Sequence, residues 1–121
     1  MSSETITRND LTAILNEVLP IQDIIEEVNT TAVGNYWTNG SIYAIKKGNV
    51  VTVKMSGASI AQLTARTTIA TLPVGFRPYM ETSGLIDGTS VWWYVETNGE
   101  IRVNATEART AWGNITYIQA N

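Results

Sequence analysis

The stretch VWWYVETNGEIRV, residues 91–103, constrains the fold most, because it places two tryptophans side by side ahead of an Asn-Gly turn signal. Consecutive residues of a strand point to opposite faces of a sheet, so the two indoles cannot share one environment. A three-residue loop with Gly99 in the left-handed conformation of a G1 bulge separates the two faces of this hairpin cleanly. The first face is wholly apolar and consists of Trp93, Val95, Ile101 and Val103. The opposite face consists of Trp92, Tyr94, Glu96, Glu100, Arg102 and Asn104.

A two-residue loop at Asn98-Gly99 is the alternative, and it would mix polar and apolar side chains on both faces of the hairpin. A register slip of one residue moves a whole strand's side chains to the other face, so the clean pattern favours the three-residue loop. We therefore predict that Trp93 lies in the core and that Trp92 is exposed. The exposed aromatic set is interpreted either as a recognition surface or as a packing surface for a neighbouring subunit or a covering loop.

The region around this hairpin has the pattern of a β domain. From residue 36 onward, alternating apolar and polar residues are interrupted by Gly, Asn and Pro, with the turn-rich connector LPVGFRP at residues 72–78. About eight strands are predicted, at residues 41–46, 50–56, 60–66, 68–72, 79–86, 91–96, 100–105 and 112–119. Short strands separated by frequent turn signals predict a β-sandwich or barrel of jelly-roll type.

The amino-terminal region has a different periodicity. Its apolar residues alternate at spacings of three and four, as in the seam of a coiled coil: Leu11, Ile14, Val18, Ile21, Ile25 and Val28. An Ile-rich seam favours trimers or higher assemblies. Pro20 costs roughly 3 kcal/mol inside a helix, so the helix is expected to kink or break there. The alternative is an amphipathic helix that folds back on its own domain. We predict a helical oligomerisation segment at residues 1–33 and a β head at residues 34–121.

Composition excludes several classes of function. The chain of 121 residues contains no histidine and no cysteine, which removes the commonest general base, thiolate metal sites and disulfides. The net charge of −3 argues against a nucleic-acid partner. No apolar run is long enough to insert into a membrane, and no phosphate-binding loop or calcium-loop spacing is present. We therefore predict no metal, no cofactor, no nucleic-acid partner and no membrane insertion.

Four segments together carry a resemblance to tail-tip proteins of bacteriophages. They are ITRNDLTAILNEVLP (residues 6–20), GNVVTVKMSG (residues 48–57), LPVGFRP (residues 72–78) and VETNGEIRV (residues 95–103). In this combination the chain resembles the receptor-binding head domains of siphophages that infect Gram-positive bacteria. The resemblance implies a homotrimer with bundled helices and three β heads that bind saccharides of the host cell wall. It also implies a place at the tail tip or baseplate of the virion, contacts with other tail proteins, and synthesis in the bacterial cytoplasm.

Family sites of this kind combine an aromatic ring with polar or charged side chains. The predicted saccharide-binding residues are Trp92, Tyr94, Arg102, Asp87, Arg109, Trp112 and Asn114. An aromatic ring covers the C–H face of a sugar, while charged and amide groups bind its hydroxyls. Two of these residues have a structural alternative, since Trp112 could be a core residue that starts the last strand and Asp87 a turn former before Gly88. Tyr36 and Trp37 are predicted mainly to pack at the junction between helix and head.

The sequence thus predicts a trimeric phage receptor-binding protein that binds host saccharide through its β head. A structural connector of the tail or baseplate, with the same fold and no glycan binding, is the alternative. Enzymatic activity is not predicted. Glycoside hydrolysis needs two placed carboxylates, and no pattern raises one pair of the acidic residues of the β region above the others.

Overall fold

Ten strands make up the regular structure of this protein, in a computed structural model that describes residues 24–120. They are β1 (Ile25–Asn29), β2 (Thr31–Ala32), β3 (Trp37–Thr38), β4 (Ser41–Lys47), β5 (Val50–Ile60), β6 (Thr67–Thr71), β7 (Thr82–Leu85), β8 (Trp92–Val95), β9 (Glu100–Val103) and β10 (Arg109–Ile118). All strand pairs are antiparallel. Within residues 24–120, no helix is present that could cross a membrane.

Two five-stranded sheets face each other. Sheet A has the order β1-β4-β5-β10, with β3 also pairing with β5, and sheet B has the order β2-β6-β9-β8-β7. Along β10 every second residue is buried, which is the pattern of a strand with one face on a core and one face in water. The buried side chains of both sheets form one apolar core, with Trp93 fully buried beneath Gly113. The predicted β-sandwich is therefore confirmed.

The hairpin of β8 and β9 has the predicted register. Trp93 pairs with Val103 and Val95 with Ile101, which leaves residues 97–99 as the loop between Glu96 and Glu100. Gly99 has a φ of 86°, and its amide donates to the carbonyl of Glu96. The four apolar residues of one face are fully buried, whereas Trp92 on the other face is 47% exposed. The three-residue loop is confirmed.

A bulge in β5 shapes the outer face of sheet A. Ala111 pairs with Ala58 and Trp112 with Ser56, so Gly57 is an extra residue without a partner on β10. Gly57 has a φ of 66°, a conformation that glycine adopts without steric cost. The register of β10 against β5 therefore shifts by one residue beside Trp112.

The connector at residues 72–78 closes one end of the sandwich. The amide of Leu72 donates to the carbonyl of Gly99, and Arg77 Nε donates to the carbonyl of Leu72.

The buried hydroxyl of Tyr117 donates to the carbonyl of Phe76, and burial raises the pKa of Tyr117 well above its ordinary value. Lys46 Nζ donates to the carbonyl of Gly75 and lies 4.5 Å from the centroid of the Phe76 ring.

Two predicted elements differ from the structure. Residues 25–29 were expected to be helical, but they form β1 and pair along β4 from Ile25 opposite Lys47 to Asn29 opposite Tyr43. Pairing satisfies the open edge of β4 and packs Val28 against the core, which outweighs the local helical periodicity. Ile25 is 67% exposed. The sandwich thus includes β1 and β2 from the predicted helical segment, while Leu11, Ile14, Val18, Pro20 and Ile21 lie outside the described residues.

The second difference concerns residues 60–66, which were expected to form a separate strand. Instead β5 runs on to Ile60, and residues 61–66 form a loop. Leu63 is buried within this loop, and its amide donates to the carbonyl of Ala105. Leu63 therefore anchors the connection between the two sheets.

Candidate functional site

The outer face of sheet A brings together aromatic and polar side chains from three strands. In one row, Lys54 of β5 lies between Tyr43 of β4 and Asn114 of β10. In the next row, Ser56 is the cross-strand partner of Trp112. Neighbouring strands lie about 4.8 Å apart, so each row places its side chains in reach of one small ligand. We call these residues, together with Asp87, the sheet A site.

Asp87 reaches this site from the turn between β7 and β8. Its amide donates to the carbonyl of Trp112 at 2.8 Å, which ties the turn of sheet B to the last strand of sheet A. The turn is closed by Thr89, whose hydroxyl donates to the carbonyl of Ile86 at 2.7 Å. Asp87 is therefore the predicted turn former and also lines a concavity of about 200 Å³ with Tyr43, Lys54, Ser56, Trp112 and Asn114.

The indole of Trp112 is supported from below. A β-carbon added to Gly57 would lie 3.8 Å from the Trp112 ring, so the ring rests on the bulge of β5. Trp112 is nevertheless 53% exposed, which contradicts the alternative that it starts the last strand as a core residue. A ring held on one side and open on the other can cover the C–H face of a sugar at little cost in ordering.

The charged and amide groups of the site have no side-chain partner in the part of the chain that the structure describes. Within residues 24–120, the side chains of Lys54, Asp87 and Asn114 make no hydrogen bond or ion pair. The concavity therefore presents a cation, a carboxylate and an amide beside an aromatic ring. This set can bind hydroxyl groups as donor and as acceptor.

The other predicted residues lie elsewhere. Trp92, Tyr94 and Arg102 share the outer face of sheet B, as the hairpin register requires. Arg109 begins β10 on the same side as buried Ala111, whereas Trp112 faces outward. Arg109 and Trp112, both among the predicted saccharide-binding residues, therefore lie on opposite faces of β10, because residues three apart along a strand point to opposite sides.

The polar residues of the sheet B face bind one another. Arg102 Nε lies 3.0 Å from Glu96 Oε2 and donates to Thr68 Oγ1, and its Nη2 lies 3.5 Å from Glu100. Arg66 pairs with Glu81 and Glu96, and its guanidinium stacks on Tyr94. The carboxylates of Glu81, Glu96 and Glu100 are thus held in ion pairs with the two arginines, whereas Lys54 and Asp87 of the sheet A site form no ion pair among residues 24–120.

Sequence reasoning missed Tyr43, Lys54 and Ser56. Each stands in an alternating strand where an outward polar residue is ordinary, so no local signal distinguished them. Only the pairing of β4, β5 and β10 brings them beside Trp112. In the described part of the chain, no three His, Cys, Asp or Glu side chains are grouped to hold a metal ion.

The sandwich has the fold of a phage receptor-binding protein, as the resemblance in the sequence predicted. The chain is similar to the crystal structure of the receptor binding protein (gp15) of Listeria phage PSA, with a TM-score of 0.56. The likeness covers 97% of this chain and 82% of that one at 18% sequence identity. No family model matches the sequence, and no curated protein matches it.

Proposed function

We propose that this protein is a phage tail or baseplate receptor-binding protein whose β head binds saccharide of the host cell wall. The observation that carries the proposal is the exposed Trp112 beside Lys54, Asp87 and Asn114, whose side chains bind no other group among residues 24–120. This arrangement lies on a fold shared with a phage receptor-binding protein. The proposal therefore places the protein in the tail of the virion.

Binding would proceed by stacking and hydrogen bonding. The open face of the Trp112 indole covers the apolar face of one sugar ring, and the phenol of Tyr43 bounds the same concavity. Lys54 donates to a hydroxyl or an anionic substituent, while Asp87 accepts from hydroxyls through charge-assisted hydrogen bonds. A shallow site of this size gives weak binding per head.

Assembly as a homotrimer would turn weak sites into stable attachment. Three linked heads raise the effective concentration of the second and third site, so avidity exceeds the affinity of one head by orders of magnitude. We expect light scattering of the full chain to give a mass of three chains. A monomer at micromolar concentration would contradict the trimer, and with it the part of the predicted seam that precedes β1, at Leu11, Ile14, Val18 and Ile21.

The sheet A site supports binding and not catalysis. Glycoside hydrolases place two carboxyl groups about 5–9.5 Å apart around the scissile bond. Among residues 24–120, Asp87 is the one carboxylate that lines the concavity. We therefore propose a protein that holds its saccharide without cleaving it, and no sugar should be released from walls during prolonged incubation.

Adsorption of the purified chain to cell walls of Gram-positive strains tests the function. Trp112→Ala should reduce wall binding at least about tenfold, because it removes the stacking surface. Trp92→Ala is the matched control, since its indole is similarly exposed on the other sheet, and it should bind like the unaltered protein. A structural connector would bind no wall from any strain, and virions that lack it would fail to assemble.

A further inference from the structure

A second depression lies on the same outer face of sheet A, beyond Trp112. Its volume is about 260 Å³, and it is lined by Tyr36, Thr38, Ser59, Ala61 and Ala108, among others. Thr38 pairs with Ser59 on β5, and the amide of Ala61 donates to the carbonyl of Tyr36 at 2.8 Å. The strand register therefore continues the rows of the sheet A site toward this depression.

The two concavities follow β5 and the residue directly after it. The first includes Lys54 and Ser56 and the second includes Ser59 and Ala61, with the Trp112 indole over Gly57 between them. At about 3.3 Å per residue, residues 54–61 span roughly 20 Å, with the bulge shortening this a little. Each volume is below the ~300–1,000 Å³ of pockets that enclose a drug-sized ligand. Each concavity thus suits one ring of a larger ligand.

The chemistry of the second depression differs from that of the first. Within the described residues, no charged side chain lines it, and its lining combines small side chains such as Ser59, Ala61 and Ala108 with larger apolar and aromatic ones. Packing was predicted for both Tyr36 and Trp37, and Trp37 is partly buried against the core, whereas Tyr36 lines this depression and is 38% exposed. The indole of Trp37 donates to the carbonyl of Ile69 across the sandwich at 3.1 Å. Tyr36 is left as a second aromatic surface.

We infer that the two depressions form one extended groove for an oligosaccharide of several units, with Trp112 at its centre and Tyr36 at its far end. This inference rests on the proposed saccharide binding and specifies the form of the ligand. A charged or hydroxyl-rich unit lies at Lys54 and Asp87, and a neutral unit lies over Ser59, Ala61 and Ala108. Affinity therefore depends on the length of the saccharide chain.

Calorimetric titration of the full chain with size-fractionated oligosaccharides tests the groove. The probe is a partial hydrolysate of wall polysaccharide from the strain whose walls the protein binds. We expect affinity to rise about tenfold from the shortest bound fragment to longer ones and then level off. Tyr36→Ala should remove this gain and leave binding of the shortest fragment unchanged. Tyr79→Ala, at an exposed tyrosine outside the groove, is the matched control and should keep the gain.

A second variant guards against a local change of fold at Tyr36. Ala108→Phe places a large ring at an exposed position of the depression, and it should also remove the length-dependent gain. Affinity that is equal at all lengths, together with loss of binding in Trp112→Ala, would overturn the groove and leave the sheet A site intact. Absence of binding at every length would overturn both the groove and the proposed function.

Discussion

The guanidinium group of Arg66 lies over the ring of Tyr94, with its central carbon 3.6 Å from the ring centroid. Arg66 comes from the loop after β5, and Tyr94 lies in the middle of β8. The contact therefore holds a long connection against the hairpin whose exposed aromatic face had suggested a binding surface. Because the charges around it also pair with one another, this face stabilises the sandwich, whereas the charged groups of the sheet A site have no partner within the described residues 24–120.

Replacement of Tyr94 by alanine should lower stability without affecting binding. The cation–π contact contributes about 0.5–1 kcal/mol at an exposed site, and loss of the ring also uncovers apolar surface. We expect Tyr94→Ala to lower the free energy of unfolding by about 1–2 kcal/mol in urea titrations. Tyr94→Phe keeps the ring and should stay within about 0.5 kcal/mol of the unaltered protein. Loss of wall binding at unchanged stability would return the binding site to sheet B.

The hairpin was predictable because its information is local. A clean separation of faces over residues 91–103 follows from alternation and from one Asn-Gly signal, and both β8 and β9 follow that pattern. The sheet A site was only partly predictable. Trp112, Asn114 and Asp87 were found by residue type, but Lys54 enters the site through pairing with a strand some 60 residues further along the chain. Such long-range register carries no local signature.

The strand β1 shows the opposite situation, a local pattern overridden by tertiary pairing. The spacing of Ile25 and Val28 continues a helical seam, yet both residues lie in a strand along β4. A short apolar segment is compatible with either periodicity, and the edge of an existing sheet decides between them. Helical spacing within residues 25–28 was therefore weak evidence about their conformation.

Gly99 and Gly88 form a matched pair for testing the hairpin loop. Both have positive φ, at 86° and 74°. An alanine at either position must therefore adopt a left-handed conformation, which costs about 1–2 kcal/mol. A β-carbon at Gly99 would also lie 2.6 Å from the carbonyl oxygen of Leu72 and from Arg77 Nε, whereas nothing lies within 4 Å at Gly88. We expect Gly99→Ala to destabilise by at least about 1 kcal/mol more than Gly88→Ala in chemical denaturation.

Equal losses in these two variants would show that the connector at residues 72–78 moves away freely. The connector would then contribute little to the stability of that end of the sandwich. In that case Tyr117→Phe, which removes the hydroxyl bound to the carbonyl of Phe76, should also have almost no effect. The glycine variants and Tyr117→Phe therefore test two separate contacts of the connector at residues 72–78, one with Gly99 and one with Tyr117.

Tyr117 should make the protein sensitive to alkaline conditions. Burial raises the pKa of its hydroxyl in the folded state above the ordinary value of 10.0. As the pH rises, the unfolded chain therefore loses this proton before the folded protein does. The contribution of Tyr117 to the free energy of unfolding is complete below pH 10 and is lost as the pH rises above it. The slope contributed by one such group approaches about 1.4 kcal/mol per pH unit.

Tyr117→Phe provides the control for this pH dependence. At neutral pH it should lower the free energy of unfolding by about 1 kcal/mol, because the carbonyl of Phe76 loses its buried donor. Above pH 10 its stability should fall less steeply than that of the unaltered protein, as measured by urea titration at a series of pH values. Parallel curves for the two proteins would exclude Tyr117 as the cause.

Lys54 should determine how strongly saccharide binding responds to charge and salt. Lys54→Met keeps most of the aliphatic stem and removes the ammonium, so we expect affinity for the wall saccharide to fall about tenfold through loss of a charge-assisted hydrogen bond. Lys47→Met is the matched control, because Lys47 lies on the same outer face opposite Val50, outside the concavity. Titrations at low and high ionic strength should show salt sensitivity in the unaltered protein and in the control, but much less in Lys54→Met. Equal losses in the two variants would mean that lysines act only through the net charge of the sheet, and the ligand would then have to lie away from the row of Tyr43, Lys54 and Asn114.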